Sequence, residues 1–106
     1  MTDFSGTFLM TFEDINMADD FGKPIGVDVV YEIEYEASRG VPYEMYSDDE
    51  EEYNFSAIDH LFVTDEDGHE MIVALTQPFL ERLQEAIVKA HHNQIIEKIW
   101  DDIDSW

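Results

Sequence analysis

"GVDVVYEIEYEAS", Gly26–Ser38, separates into two sequences when read two residues at a time. Val27, Val29, Tyr31, Ile33 and Tyr35 make one, and Asp28, Val30, Glu32, Glu34 and Glu36 make the other. Successive side chains of a strand point to opposite faces, so the stretch reads as a strand with one buried and one wet face. That is the habit of an antiparallel sheet covered on a single side. The wet side carries four carboxylates, and both fold and function turn on why.

Upstream, "FSGTFLMTF" (4–12) places Phe4, Phe8, Met10 and Phe12 at even positions with Thr7 and Thr11 opposite, a first strand. "EDINMADDFGKPIG" (13–26) then carries Gly22, Pro24 and Gly26 and reads as a connection with one helical turn at 14–20. Downstream, residues 37–53 read as a long loop, opened by Arg39-Gly40 and Pro42 and closed by the acidic run Asp48–Glu52. Loops of that length are functional or mobile. "FSAIDHLFVT" (55–64) is a third strand of mixed pattern, Asp67-Gly68 a hairpin turn, and "HEMIVAL" (69–75) a fourth strand. Thr76 is placed to cap a helical segment over 77–104 with Pro78 in its first turn. Its apolar residues fall at 80, 83, 87 and 90, then at 95, 96, 99 and 103. The phase drifts near His91-His92-Asn93, so either one long helix bends there or two helices meet. The expected fold is a single α+β domain over 1–106, a four-stranded antiparallel sheet packed on one long or two C-terminal helices. Val27, Val29, Tyr31, Ile33 and Tyr35 would face Leu80, Leu83, Ile87 and Ile99.

The chain has 106 residues, 44% of them hydrophobic and 13% aromatic, enough for a packed core despite the charge. Cysteine is absent, which removes disulfides, thiolate metal sites and a Cys nucleophile. The N-terminal "MTDFSGTFLM" lacks the basic and apolar regions of a signal peptide, and no apolar run approaches a membrane span. A soluble cytoplasmic protein with no membrane partner is expected. Twenty-six Asp and Glu stand against five Lys and Arg, a formal net charge of −21 at pH 7. Such a field repels nucleic acid and attracts basic surfaces over about 8 to 10 Å at physiological salt. The charge is uneven: residues 1–76 hold 20 acids with Lys23 and Arg39, whereas 77–106 hold 6 with Arg82, Lys89 and Lys98. Adaptation to high salt would spread acids over every surface, and the nearly balanced C-terminal part, at −3, argues against it.

Residues two apart on a strand lie about 6.6 to 6.8 Å apart, the order of the spacing between neighbouring phosphates on a nucleic-acid strand. A rigid row of acids could therefore occupy a groove built from Lys and Arg for DNA. A solvated face would account for the strand alone. The row is followed, however, by Glu44, Asp48, Asp49, Glu50, Glu51 and Glu52, then by Asp65, Glu66, Asp67 and Glu70, with almost no basic residue between them. Solubility requires far less charge. Tyr43, Met45, Tyr46 and Tyr53 add side chains enriched at interface centres. The candidate partner-binding residues are Asp28, Glu32, Glu34, Glu36, Tyr43, Glu44, Tyr46, Asp48, Asp49, Glu50, Glu51 and Glu52.

Catalysis and metal binding lack a signature. "VTDEDGHE" approaches a calcium loop, but with Gly68 sixth the first and twelfth positions are Val63 and Ala74, where acidic ligands belong. His91 and His92 are adjacent and point apart on a helix. No glycine-rich phosphate loop or nucleophile elbow occurs. No enzyme activity, cofactor or metal is expected.

The order "VVYEIEYEASRGVPY", then "DEDGHE", then "LTQPFLERLQEAI" resembles a loose group of small phage- and prophage-encoded accessory proteins of unknown function, over residues 27 to about 90. They share a Tyr-rich alternating strand ending in a Gly/Pro turn, an Asp-Gly hairpin and a closing helix. This chain has a heavier acidic load and extra segments at both ends. In charge and size it also resembles phage inhibitors that mimic nucleic acid. The resemblance implies action in the host cytoplasm against a basic, nucleic-acid-binding host or defence protein, without direct nucleic-acid binding. The alternative is a phage accessory or scaffold protein that contacts a partner, or itself as a homodimer, through a C-terminal helix ending in Trp100, Ile103 and Trp106.

Overall fold

The computed structural model describes residues 2–40 and 49–105. Strands β1 (Thr2–Ala18), β2 (Pro24–Arg39), β3 (Glu50–Thr64) and β4 (Glu70–Met71) form an open antiparallel sheet in the order β1-β2-β3-β4. One helix, α1 (Gln77–Asp104), covers one face, so the fold is α+β as expected, with one helix rather than two. Among the described residues no helix is long and apolar enough to cross a membrane.

β2 is central, and its alternation is borne out along its length. Ile25, Val27, Val29, Tyr31, Ile33, Tyr35 and Ala37 are all buried, and the residues between them are half-buried or exposed. The helix answers with Phe79, Leu83, Ile87, Ile95, Ile99 and Ile103, spaced in fours except across position 91. There half-buried His91 keeps the interval and packs 5.7 Å from Phe12, ring centre to ring centre. Leu83, Ile87 and Ile99 lie where expected, while Phe79 rather than the half-buried Leu80 fills the first turn. Four residues advance an α-helix about 40° past a full turn, so this stripe spirals instead of staying on one face. A spiral stripe suits a sheet whose strands twist right-handedly. The apparent phase drift is that spiral.

Three bulges explain where strand periodicity was hard to read. Between Phe12 and Ile15 the register of β1 slips, Asp14 takes φ 55°, and its N–H donates to Asp28 Oδ1 at 2.8 Å. The extra residue turns both Phe12 and Ile15 inward, so β1 continues to Ala18 and a hairpin turn follows, in place of the helical turn expected at 14–20. In β3 the register slips twice, at Ser56 and Asp59, leaving Tyr53, Phe55, Ile58, Leu61 and Val63 opposite the buried residues of β2. The mixed pattern of that strand is an alternation interrupted by two extra residues. The expected loop over 37–53 is correspondingly shorter, because β2 runs to Arg39 and β3 begins at Glu50. The expected strand over 69–75 narrows to Glu70–Met71, after which the chain turns away to start the helix.

Two hairpins use one turn. In "DDFGK" (19–23) and "DEDGH" (65–69) the first residue's N–H donates to the fifth residue's carbonyl, at 2.8 and 2.9 Å, and the glycine N–H donates to the first residue's carbonyl at 3.1 Å in both. The Oδ1 atoms of Asp19 and Asp65 each accept two main-chain N–H groups, from Phe21 and Lys23 and from Asp67 and His69. Gly22 and Gly68 sit at φ 82° and 83°. These are three-residue loops ending in a left-handed glycine, so Asp67-Gly68 lies in a hairpin turn as expected, and Asp20-Phe21-Gly22 forms a second of the same kind.

Both helix ends are latched to the sheet. Thr76 caps α1 by accepting from the Phe79 N–H at 3.2 Å, while its hydroxyl donates to Asp20 Oδ2 at 2.8 Å. Arg82 pairs with Asp20 Oδ1 and donates to the Ala18 carbonyl at 3.4 Å. The Arg82 hydrogen bond, with that from Thr76, holds the Asp20 carboxyl below its ordinary range. At the far end the Tyr35 hydroxyl donates to Asp102 Oδ2 at 2.7 Å, passing so close that a Cβ on Gly6 would lie 2.8 Å from it.

Two predictions follow from the turns and the latch. A Cβ at Gly22 or Gly68 meets nothing within 4 Å, so Gly→Ala there is opposed by backbone conformation alone. Each should cost about 1 kcal/mol in urea unfolding, and Gly→Asn less; equal stability of Ala and Gly would refute the turn assignment. Because the pKa of Asp20 is depressed on folding, its stabilising effect is present above the unfolded value and lost as pH falls through the folded one. Asp20→Asn should therefore lower the thermal midpoint at pH 7, and its gap from wild type should close as pH drops below 3.8. Glu66→Gln removes one charge from an exposed, unlatched position and should show no such loss.

Candidate interaction surface

The residues proposed from sequence divide by face. Glu32, Glu34 and Glu36 project from the outer face of β2, away from the helix, with Glu34 and Glu36 exposed and Glu32 half-buried. Ser56 Oγ donates to Glu32 Oε1 at 3.0 Å and also to its carbonyl at 3.1 Å, which fixes this end of the row. On β3, Glu50 and Glu52 are exposed and stand opposite Ser38 and Glu36. Asp3, which the sequence reading passed over, stands opposite Ser38 from the other side and accepts its hydroxyl at 2.7 Å. Its membership depends on the β1–β2 register, and no short-range pattern carries that.

Three strands thus present cross-rows of Asp3–Ser38–Glu50, Ser5–Glu36–Glu52 and Thr7–Glu34–Asn54. A concavity of about 480 Å³ at the end of the sheet is bordered by Asp3, Glu36, Glu50 and Glu52. Glu36 and Glu52 are direct cross-strand partners. Like charges about 5 Å apart in water repel by about 0.8 kcal/mol, and such pairs destabilise a sheet. β1 and β3 contain no Lys or Arg, and the single one in β2, Arg39, turns to the helix side, 4.9 Å above the Trp100 ring. The long strands therefore set no cation on this face. Towards its other end the face becomes apolar, with Leu9 and Phe62 exposed.

Three proposed residues have other work. Asp28 pins the bulge at Asp14. Asp49 Oδ1 accepts the Gly40 N–H at 2.9 Å, bridging the ends of β2 and β3. Glu51 turns inward and accepts the Trp100 indole N–H at 2.7 Å, so it leaves the acidic face. Tyr43, Glu44, Tyr46 and Asp48 lie outside the described residues.

On the helix side, Trp100 meets Phe4 edge-on at 6.3 Å, and Ile103 is buried. Tyr53 shares a hydrogen bond of 2.8 Å with His92 Nδ1, and burial raises the pKa of both Tyr53 and Tyr31. Ligand atoms of Asp65, Asp67 and His69 lie within 4.8 Å of one another, but one carboxylate oxygen of Asp65 is already held by two N–H groups of the turn. That grouping is accounted for by the hairpin.

No protein-family model, curated protein or solved structure matches the chain.

Proposed function

We propose that this chain is a non-enzymatic acidic binding protein, phage-encoded, that occupies a basic nucleic-acid-binding surface of a host or defence protein by presenting a nucleic-acid-like row of charge. The observation that carries the reading is the outer face itself: Glu32, Glu34, Glu36, Glu50, Glu52 and Asp3 on three paired strands that set no Lys or Arg there. A face needed only for folding would not set Glu36 opposite Glu52.

Shape and charge density agree with it. The molecule is elongated, 54 × 25 × 21 Å. Its net charge of −21 spread over that 54 Å length is one charge per roughly 2.6 Å, against one per about 1.7 Å of axis in duplex DNA. Two unit charges in water interact with the thermal energy at about 7 Å, so both spacings lie well inside the range where counterions gather along a rod. A basic partner would release those ions on docking, which makes affinity steeply salt-dependent. The opposite reading, contact through the helix end, is disfavoured because Trp100 and Ile103 are engaged against the sheet; Trp106 lies outside the described residues.

In the test, immobilised protein is exposed to a bacterial lysate and retained proteins are challenged with duplex DNA. A retained partner should be released by DNA, and its affinity should fall steeply between about 50 and 200 mM salt. Glu32→Gln/Glu34→Gln/Glu36→Gln should weaken binding by well over about tenfold. Neutralising Glu66, Asp67 and Glu70 removes equal charge from exposed positions elsewhere and should have little effect. Equal small losses in both triple variants, or a partner that stays bound beside saturating DNA, would overturn the proposal.

A further inference from the structure

Beside the acidic face, the sheet has an unfinished edge. β4 pairs only with Val63 and Thr64, so among the described residues β3 has no strand neighbour on that side from Glu50 to Phe62. The bulges at Ser56 and Asp59 interrupt the strand, leaving Glu50–Phe55 as its regular stretch. The helix approaches the sheet most closely along β1, and on the β3 side a trough opens between strand and helix. One part, of about 660 Å³, runs between Tyr53 and Phe55 on the strand and Gln84 and Val88 on the helix. A second, of about 280 Å³, shares Phe55 and Gln84 and reaches Tyr31 and Leu75.

Tyr31 supplies an independent sign that the trough is incomplete. The residue is only 2% exposed, and its hydroxyl lacks a well-formed hydrogen bond, Gln84 being the side chain that interacts with it. Above the trough, Glu81 and Glu85 line the helix wall beside Lys89, and Glu50 and Glu52 stand on the strand's outer side, so acids outnumber the one cation.

We infer that the trough between β3 and α1 takes an extended peptide segment, with alternating apolar and basic residues, that pairs with Glu50–Phe55. An added strand points alternate side chains to opposite faces. One set would seat apolar groups between Phe55 and Val88, and the other would bring Lys or Arg to Glu50 and Glu52. Gln84 and Tyr31 offer hydrogen bonds to the inserted segment. A second copy of this chain is a poor occupant, because −21 would meet −21 and the chain holds only five Lys and Arg. The inference shares Glu50 and Glu52 with the outer face but rests on the free edge of β3 and the trough beside it, so a variant confined to Glu32, Glu34 and Glu36 separates it from the outer-face proposal.

The probe is a fluorescein-labelled seven-residue peptide alternating Lys with Val or Leu, compared with a peptide of equal composition whose Lys residues are gathered in one block. Fluorescence anisotropy should show the alternating peptide binding at least about tenfold more tightly, since only it fits strand pairing. Val88→Trp, at an exposed helix position that borders the trough, should abolish that preference while leaving the thermal midpoint close to wild type. The Glu32, Glu34, Glu36 triple Gln variant should retain it. Hydrogen exchange with bound peptide should slow at residues 50–55. Equal affinity for the two peptides, or protection on β1 instead, would overturn the inference. A homodimer that Val88→Trp dissolves would replace the peptide with a second copy and equally overturn it.

Discussion

The one-sided burial of β2 is the constraint on which the rest of this structure depends. Seven inward side chains from Ile25 to Ala37 form the floor of the core, and the helix meets them with residues spaced in fours. Fully burying a large aliphatic or aromatic side chain contributes about 1.5 to 3 kcal/mol. A one-residue slip of β2 would turn every one of them to water and bring Glu32, Glu34 and Glu36 into the core. The register is therefore strongly specified, and it forces the acids into a straight exposed row. Asp20 with Arg82 and Thr76 at one end, and Tyr35 with Asp102 at the other, fix both ends of the helix against the sheet.

Much of this was legible because β2 and the helix carry their periods locally. The buried set of β2, the Thr76 cap and most of the helix stripe could be read directly from spacing. What could not be read depends on pairing between distant segments. The bulge at Asp14 hides the continuation of β1, since Phe12 and Ile15 are three apart and suggest the end of a strand. Ser56 and Asp59 do the same in β3, where inward residues at 53, 55, 58, 61 and 63 follow neither a strand nor a helix period. The candidate site suffered likewise. Glu51 alternates with Glu50 and Glu52, so a run of like residues was bound to split across two faces, and the inward one meets Trp100. Asp28 reads as a docking group in the sequence because its role as a partner of the Asp14 N–H exists only once the strands pair.

Structure and charge are separable in this molecule. The inner face and the two latches account for folding, and the outer row opposes it. Glu36 and Glu52 face one another across neighbouring strands with Asp3 and Glu50 close by. Retaining acids in an arrangement that costs stability is what a docking surface for a basic partner requires, and the linear charge density supports that reading. The trough along β3 is different in kind, apolar at its floor and open at a strand edge.

The central claim, that the outer acids act against the fold, is tested most directly by a double-mutant cycle on Glu36 and Glu52. Urea unfolding of wild type, Glu36→Gln, Glu52→Gln and the double variant at low salt isolates their coupling. The account predicts repulsion of about 0.5 to 1 kcal/mol that fades towards 1 M salt. A coupling of zero, or one in which the two glutamates stabilise each other, would contradict it.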